Sequence, residues 1–147
     1  MNKRNILKWV TTSVLGVGVL TSVILFGNIN HANSETIHSS REIGIKDLAV
    51  KNFNIDTTKV KQLYRSDLHD NSNVVSKEIK NKVVLAYTEL LRDGGLKVGD
   101  YTPIYFLEGN NVSIAVEHAD GSMTMTKFDI SGNGEPTKIH EDSKEAK

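Results

Sequence analysis

Residues 101–130 read YTPIYFLEGNNVSIAVEHADGSMTMTKFDI, a stretch in which apolar and polar side chains alternate over most of the length. Alternation with a period of two is typical of β-strands that bury one face. The pairs Gly109-Asn110 and Asp120-Gly121 form turns readily and divide the stretch into segments of strand length. We therefore predict a three-stranded antiparallel meander, with strands near 101–108, 112–118 and 122–130.

The turns also predict which side chains share a face of this sheet. With two residues in each turn, Leu107 lies opposite Val112, and Val116 lies opposite Met125. One face of the sheet is then strongly apolar. It carries Tyr105, Leu107, Val112, Ile114, Val116, Met123 and Met125.

The second face of the predicted sheet is more polar but still contains three large apolar side chains. On a sheet with a single helix layer, this face is either covered by residues 41–65 or left exposed to solvent. An exposed apolar face would be a surface of the kind that binds partners. The candidate binding residues on it are Ile104, Phe106 and Phe128.

The clearest helix is predicted for residues 75–93, where apolar side chains recur at spacings of three and four. Gly94-Gly95 follows and is expected to end the helix. One helix packed on a meander gives an α+β fold, and this order of elements resembles the layout of cystatin-like rolls. The resemblance implies a fold class and carries no functional residues.

Two segments ahead of this helix are less regular. Residues 41–53 combine an alternating pattern with apolar spacings that also suit a helix, so both alternatives stay open. Asp56-Thr57-Thr58 is typical of a helix N-terminus, and we predict a short helix after it that carries Val60, Leu63 and Tyr64.

The first 34 residues have the order of a secretory signal. Lys3, Arg4 and Lys8 precede an uncharged stretch from Trp9 to Phe26, and the small-residue pattern Ala32-Asn33-Ser34 follows. At about 1.5 Å per residue the stretch is also close to the thickness of a bilayer core, so an uncleaved membrane anchor is the alternative. Either fate predicts contact with the membrane and an extracytoplasmic domain.

The rest of the chain is divided into one α+β domain, residues 35–133, and a polar tail, residues 134–147. The whole chain has 18 basic and 18 acidic residues, and three of the basic ones precede Glu35. The domain and tail are therefore weakly acidic, which speaks against nucleic-acid binding. The chain has no cysteine, which excludes disulfides and thiol chemistry and favours a bacterial source for an exported domain.

One motif suggests a metal site. The oxygen-bearing side chains of Asp129, Ser131 and Asn133, followed by Gly134, match the first half of an EF-hand calcium loop. The second half departs from that pattern, because His140 stands where a bidentate glutamate belongs. A turn at the end of a strand is the alternative explanation of the same residues, and no pattern in the chain predicts a cofactor.

His118 is the candidate for catalysis. It is expected at a strand end beside Glu117 and Asp120, where it would transfer protons, although a surface histidine near a turn is the simpler interpretation. The chain has neither a Gly-x-Ser-x-Gly elbow nor a Walker spacing, and this favours a role other than catalysis.

These observations favour a secreted or membrane-tethered binding module of the bacterial cell envelope. Its partner would be a protein or another envelope component. The alternatives are an extracytoplasmic hydrolase that uses His118, and a membrane-resident accessory subunit that keeps its apolar N-terminal segment.

Overall fold

The computed structural model describes residues 38–146. The predicted signal peptide or anchor, residues 1–34, lies outside these residues. Within residues 38–146, neither helix combines the length and the apolar character needed to cross a bilayer. In chain order the elements are α1 (Ser40–Phe53), β1 (Lys61–Leu63), a 3₁₀ helix (Arg65–Leu68), α2 (Lys77–Arg92), β2 (Ile104–Glu108), β3 (Asn111–Glu117), β4 (Met123–Asp129) and β5 (Thr137–Lys144).

The fold is α+β, with five antiparallel strands in the order β1-β2-β3-β4-β5. The sequence predicted three strands, and that number is wrong because both edge strands were missed. β1 occupies residues for which a short helix was predicted, and its Leu63 pairs with Tyr105 of β2. Strand pairing with β2 therefore prevails over the local helix signal at Asp56.

The second missed strand, β5, lies in the segment predicted to be a polar tail. Its side chains are almost all exposed, so they show no apolar alternation. The strand is held by backbone hydrogen bonds to β4, with Thr137 opposite Asp129 and Lys144 opposite Met123. Backbone pairing of this kind does not require apolar side chains, and the composition of residues 134–147 therefore gave no sign of it.

The first hairpin has the predicted register, with Leu107 opposite Val112. The second hairpin does not, because Ala115 rather than Val116 lies opposite Met125. Its loop contains three residues, Ala119 to Gly121, and the His118 amide closes it by donating to the Ser122 carbonyl at 2.9 Å. Gly121 has a φ of 84°, the left-handed conformation that three-residue hairpin loops require at this position.

Because of this shift of one residue, every side chain of β4 lies on the face of the sheet opposite to the predicted one. Phe128 lies opposite Val112 and shares its face, whereas Met123 and Met125 lie on the other face. The predicted binding patch is therefore not an exposed surface. Its members Ile104, Phe106 and Phe128 are 0%, 2% and 1% exposed, and Phe128 is on the face opposite to the other two.

The predicted main helix is confirmed as α2, which covers the first face of the sheet. The Ser76 hydroxyl accepts a hydrogen bond from the Ile79 amide at 3.3 Å and caps its N-terminus. Its buried side chains Val83, Ala86 and Leu90 belong to one apolar core with residues of the sheet. These sheet residues are Leu63, Tyr105, Val112, Ile114, Val116, Phe128 and Ile130.

The ambiguous segment 41–53 is helical and forms most of α1, which covers the second face. Ser39 and Glu42 form a reciprocal capping box at its N-terminus. Ile45 and Ala49 pack into a second core with Ile104, Phe106, Ala115 and Met123 of the sheet. The two-layer layout behind the cystatin-like resemblance is therefore incomplete, since the sheet has a helix on each face.

The position of α1 gives the first testable prediction. Ile45 is 1% exposed, and replacing it by alanine is expected to lower the free energy of unfolding by about 2–5 kcal/mol, because a cavity is left against the sheet. Ile43 of the same helix is 42% exposed, and the matched change Ile43→Ala is expected to alter stability by only about 0.5 kcal/mol. Chemical denaturation followed by circular dichroism measures both. Equal losses in the two variants would contradict the packing of α1 on the sheet.

Candidate functional site

Three side chains at one end of the sheet form a continuous hydrogen-bonded group, the Asp100–His118–Thr124 triad. His118 Nδ1 lies 2.8 Å from Asp100 Oδ2, and His118 Nε2 lies 2.9 Å from Thr124 Oγ1. The Asp100 side chain is 3% exposed, whereas that of His118 is 14% exposed and borders open space. The two ring nitrogens of His118 therefore face a carboxylate on one side and a hydroxyl on the other.

The loop between α2 and β2 places Asp100 in the triad. Asp100 Oδ2 accepts a hydrogen bond from the Lys97 amide at 2.7 Å, and Asp100 Oδ1 accepts one from the Ala119 amide at 3.3 Å. The next residue, Tyr101, donates its amide to the Glu117 carbonyl at 3.0 Å, which ties the loop to the end of β3. The carboxylate thus joins the loop to the β3–β4 hairpin.

These contacts determine the charge of Asp100. Burial alone would raise its pKa, but hydrogen bonds from the Lys97 amide, the His118 ring and the Ala119 amide outweigh burial, and the pKa is lowered. An ionised Asp100 only accepts hydrogen bonds, so His118 Nδ1 carries the proton. In the neutral imidazole, Nε2 is then the acceptor for the Thr124 hydroxyl.

The carboxylates next to His118 in the sequence have other partners. Glu117 Oε1 is bound by Arg41 of α1 at 2.6 Å. Asp120 Oδ1 accepts the Ser122 amide at 2.8 Å within the hairpin loop. The sequence therefore identified the histidine but not its partner Asp100, which is 18 residues away along the chain and is brought close by the sheet.

A second feature, the tyrosine cleft, lies between α2, the 3₁₀ helix and the start of β2. It has a volume of about 390 Å³. Its walls are largely apolar and aromatic: Leu68, Val84, Tyr87, Leu96, Tyr101, Pro103 and Tyr105. Polar groups at its edge come from Arg65, His69, Asp100 and Thr102, so Asp100 borders both this cleft and the triad.

Two aromatic contacts hold the walls of the tyrosine cleft. The Arg41 guanidinium lies 4.0 Å from the centre of the Tyr101 ring, and the same guanidinium is paired with Glu117. Tyr87 and Tyr105 pack edge to face with their ring centres 6.3 Å apart. Burial raises the pKa of Tyr105, so its phenol stays neutral.

The suggested calcium ligands lie in the loop that joins β4 to β5. Asp129 Oδ1 accepts a hydrogen bond from the Ser131 amide at 2.8 Å. This hydrogen bond is the main reason why the pKa of Asp129 is lowered. Ser131 and Asn133 are exposed. The loop connects two strands, whereas an EF-hand loop connects two helices. In the described part of the chain, no group of three or more His, Cys, Asp or Glu side chains is arranged to hold a metal ion.

No family model matches the chain, and no curated protein or solved structure matches it either. Function is therefore inferred from the residues of the tyrosine cleft and the triad, because a fold class by itself does not determine an activity.

The lowered pKa of Asp100 predicts how its contribution to stability changes with pH. A carboxylate with a lower pKa in the folded state stabilises that state above its unfolded pKa of about 3.9, and this stabilisation is lost as the pH falls through the folded value. Asp100→Asn is therefore expected to reduce the free energy of unfolding at neutral pH by about 1.5–3 kcal/mol. The difference from the unmodified chain should shrink below about pH 4.

Urea denaturation at several pH values measures this difference. Asp70→Asn, at an exposed turn carboxylate, is the control and should behave like the unmodified chain throughout. An effect of Asp100→Asn that stays constant from neutral pH to about pH 2 would show that the charge of Asp100 does not stabilise the fold.

Proposed function

We propose that this chain is an extracytoplasmic binding module, secreted or tethered through Trp9–Phe26, that holds a bacterial cell-envelope component in the tyrosine cleft. The order of basic, apolar and small residues in the first 34 positions supports export. The observation that carries the binding role is the cleft itself. Its apolar walls with a few polar groups at the edge are the usual composition of a ligand pocket, and its volume is in the range of such pockets.

The edge of the cleft indicates the chemistry of the ligand. Arg65 is exposed there, and within residues 38–146 it belongs to no ion pair. A free guanidinium beside aromatic walls suits a ligand with an apolar body and a negatively charged group. His69 lies at the same edge and offers a second polar contact.

One wall of the cleft is held by two lysines that donate to backbone carbonyls, one buried and one exposed. Lys80 is 5% exposed, and its ammonium donates to the carbonyls of His69, at 2.7 Å, and of Ser72. Lys61 donates in the same way to the carbonyl of Val74. These contacts fix the backbone after the 3₁₀ helix, so the backbone position of His69 is set before a ligand arrives.

Binding in the cleft is testable with anilinonaphthalene sulfonate, a fluorescent probe that combines aromatic rings with a negative charge. The probe is expected to bind the folded full-length chain with a rise in fluorescence. Val84 lines the cleft and is 43% exposed, so Val84→Glu should weaken binding by about tenfold through repulsion of the sulfonate, whereas Val84→Lys should not weaken it.

Leu85 provides the matched control for this experiment. It is 45% exposed on the same helix but does not line the cleft, and Leu85→Glu should leave the affinity for the probe unchanged. If Val84→Glu and Leu85→Glu changed the affinity for the probe equally, the probe would bind elsewhere. The cleft would then lose its support as a binding site.

Export is tested separately from binding. In a bacterial host the chain is expected on the outer side of the cytoplasmic membrane, with a mature N-terminus after Ser34 if it is secreted or at Met1 if it is tethered. Protease protection of intact cells and N-terminal sequencing measure these two properties. A full-length product that remains soluble in the cytosol would contradict the proposed location.

A further inference from the structure

We propose that the Asp100–His118–Thr124 triad is an acyl-transfer centre in which Thr124 is the nucleophile, His118 the general base and Asp100 the positioning residue. The proposal goes beyond ligand binding and rests on a different set of contacts from the walls of the tyrosine cleft. The substrate class that the geometry fits is an ester or a thioester.

The hydrogen bonds of the triad have the order that such chemistry needs. A hydroxyl lies 2.9 Å from one nitrogen of an imidazole whose other nitrogen lies 2.8 Å from a carboxylate. This arrangement activates a hydroxyl, because the imidazole takes its proton while the carboxylate keeps the ring in the correct tautomer. Asp100 is held in position for this role by the hydrogen bonds that it accepts from two backbone amides.

The nucleophile is reachable from solvent and lies on a rigid element. His118 and Thr124 line two adjoining clefts of about 520 and 200 Å³. Lys97 lines both clefts with them and is a source of positive charge that the lining of both clefts shares with the triad residues. Thr124 belongs to β4, which is paired on both sides, so its backbone is held in place by two neighbouring strands.

The neighbouring threonine shows that this arrangement is specific to one position of β4. Thr126 points to the same face, but it is 1% exposed and its hydroxyl donates to Glu141 at 3.3 Å. It has no histidine partner, and burial withholds it from a substrate. Thr124 combines partial exposure with an imidazole acceptor, which is the pair of properties that a nucleophile needs.

The reaction conserves atoms and charge without a further reactant except water. Thr124 Oγ1 attacks the ester carbonyl carbon while its proton moves to His118 Nε2. The bond between the carbonyl carbon and the leaving alcohol then breaks, and His118 returns the proton to that alcohol. In the second half water attacks the acyl carbon and gives a proton to His118 Nε2. The bond between that carbon and Thr124 Oγ1 then breaks, His118 returns the proton to Oγ1, and the carboxylic acid is released.

The experiment uses the full-length chain and p-nitrophenyl acetate as the probe. The expected result is a burst of nitrophenolate of up to one equivalent per chain, with the acetyl group located on Thr124 by peptide mass spectrometry. His118→Gln is expected to slow acylation by about a hundredfold or more. Asp100→Asn should lower the rate constant with little change in the half-saturating probe concentration, as expected of a positioning residue.

Three comparisons separate chemistry from folding. Thr124→Val keeps the shape of the side chain and should abolish the acetyl adduct, Thr124→Ser should keep it, and the exposed Thr137→Val should leave it unchanged. Circular dichroism verifies that each variant is folded. The proposal is overturned if the folded chain gives no burst, if the acetyl group is found on lysine or tyrosine only, or if Thr124→Val reacts like the unmodified chain.

Discussion

The three-residue turn from Ala119 to Gly121 determines the position of every side chain on β4. One residue fewer in this turn would exchange the two faces of the strand. With three residues, Phe128 enters the core beneath α2 and Met123 enters the core beneath α1. The same turn brings Thr124 within hydrogen-bond distance of His118, so the core and the triad depend on one backbone conformation at Gly121.

Both faces of the sheet contain large apolar side chains, and each face is covered by one helix. α1 precedes the sheet and packs on one face, whereas α2 connects β1 to β2 and packs on the other. The edges of the sheet are protected in different ways. β1 has only three residues, and β5 carries charged side chains, and both features discourage the addition of further strands.

The loop between α2 and β2 connects the two candidate sites. It supplies Leu96, Tyr101 and Pro103 to the tyrosine cleft, and it supplies Asp100 to both the cleft and the triad. Functional side chains often lie on loops that a rigid scaffold holds in place. Here the scaffold is the end of the β3–β4 hairpin, which binds the loop through the Glu117 carbonyl and the Ala119 amide.

Local patterns in the sequence were sufficient for α2, for the three central strands and for the register of the first hairpin, because these features depend on side chains a few residues apart. They also identified His118. The tertiary structure alone decided the rest. β5 is held by backbone pairing that requires no apolar pattern, and β1 forms a strand because it pairs with β2. The partners of His118 are Asp100, from a distant loop, and Thr124, from a strand whose side chains change faces with one extra residue in the turn.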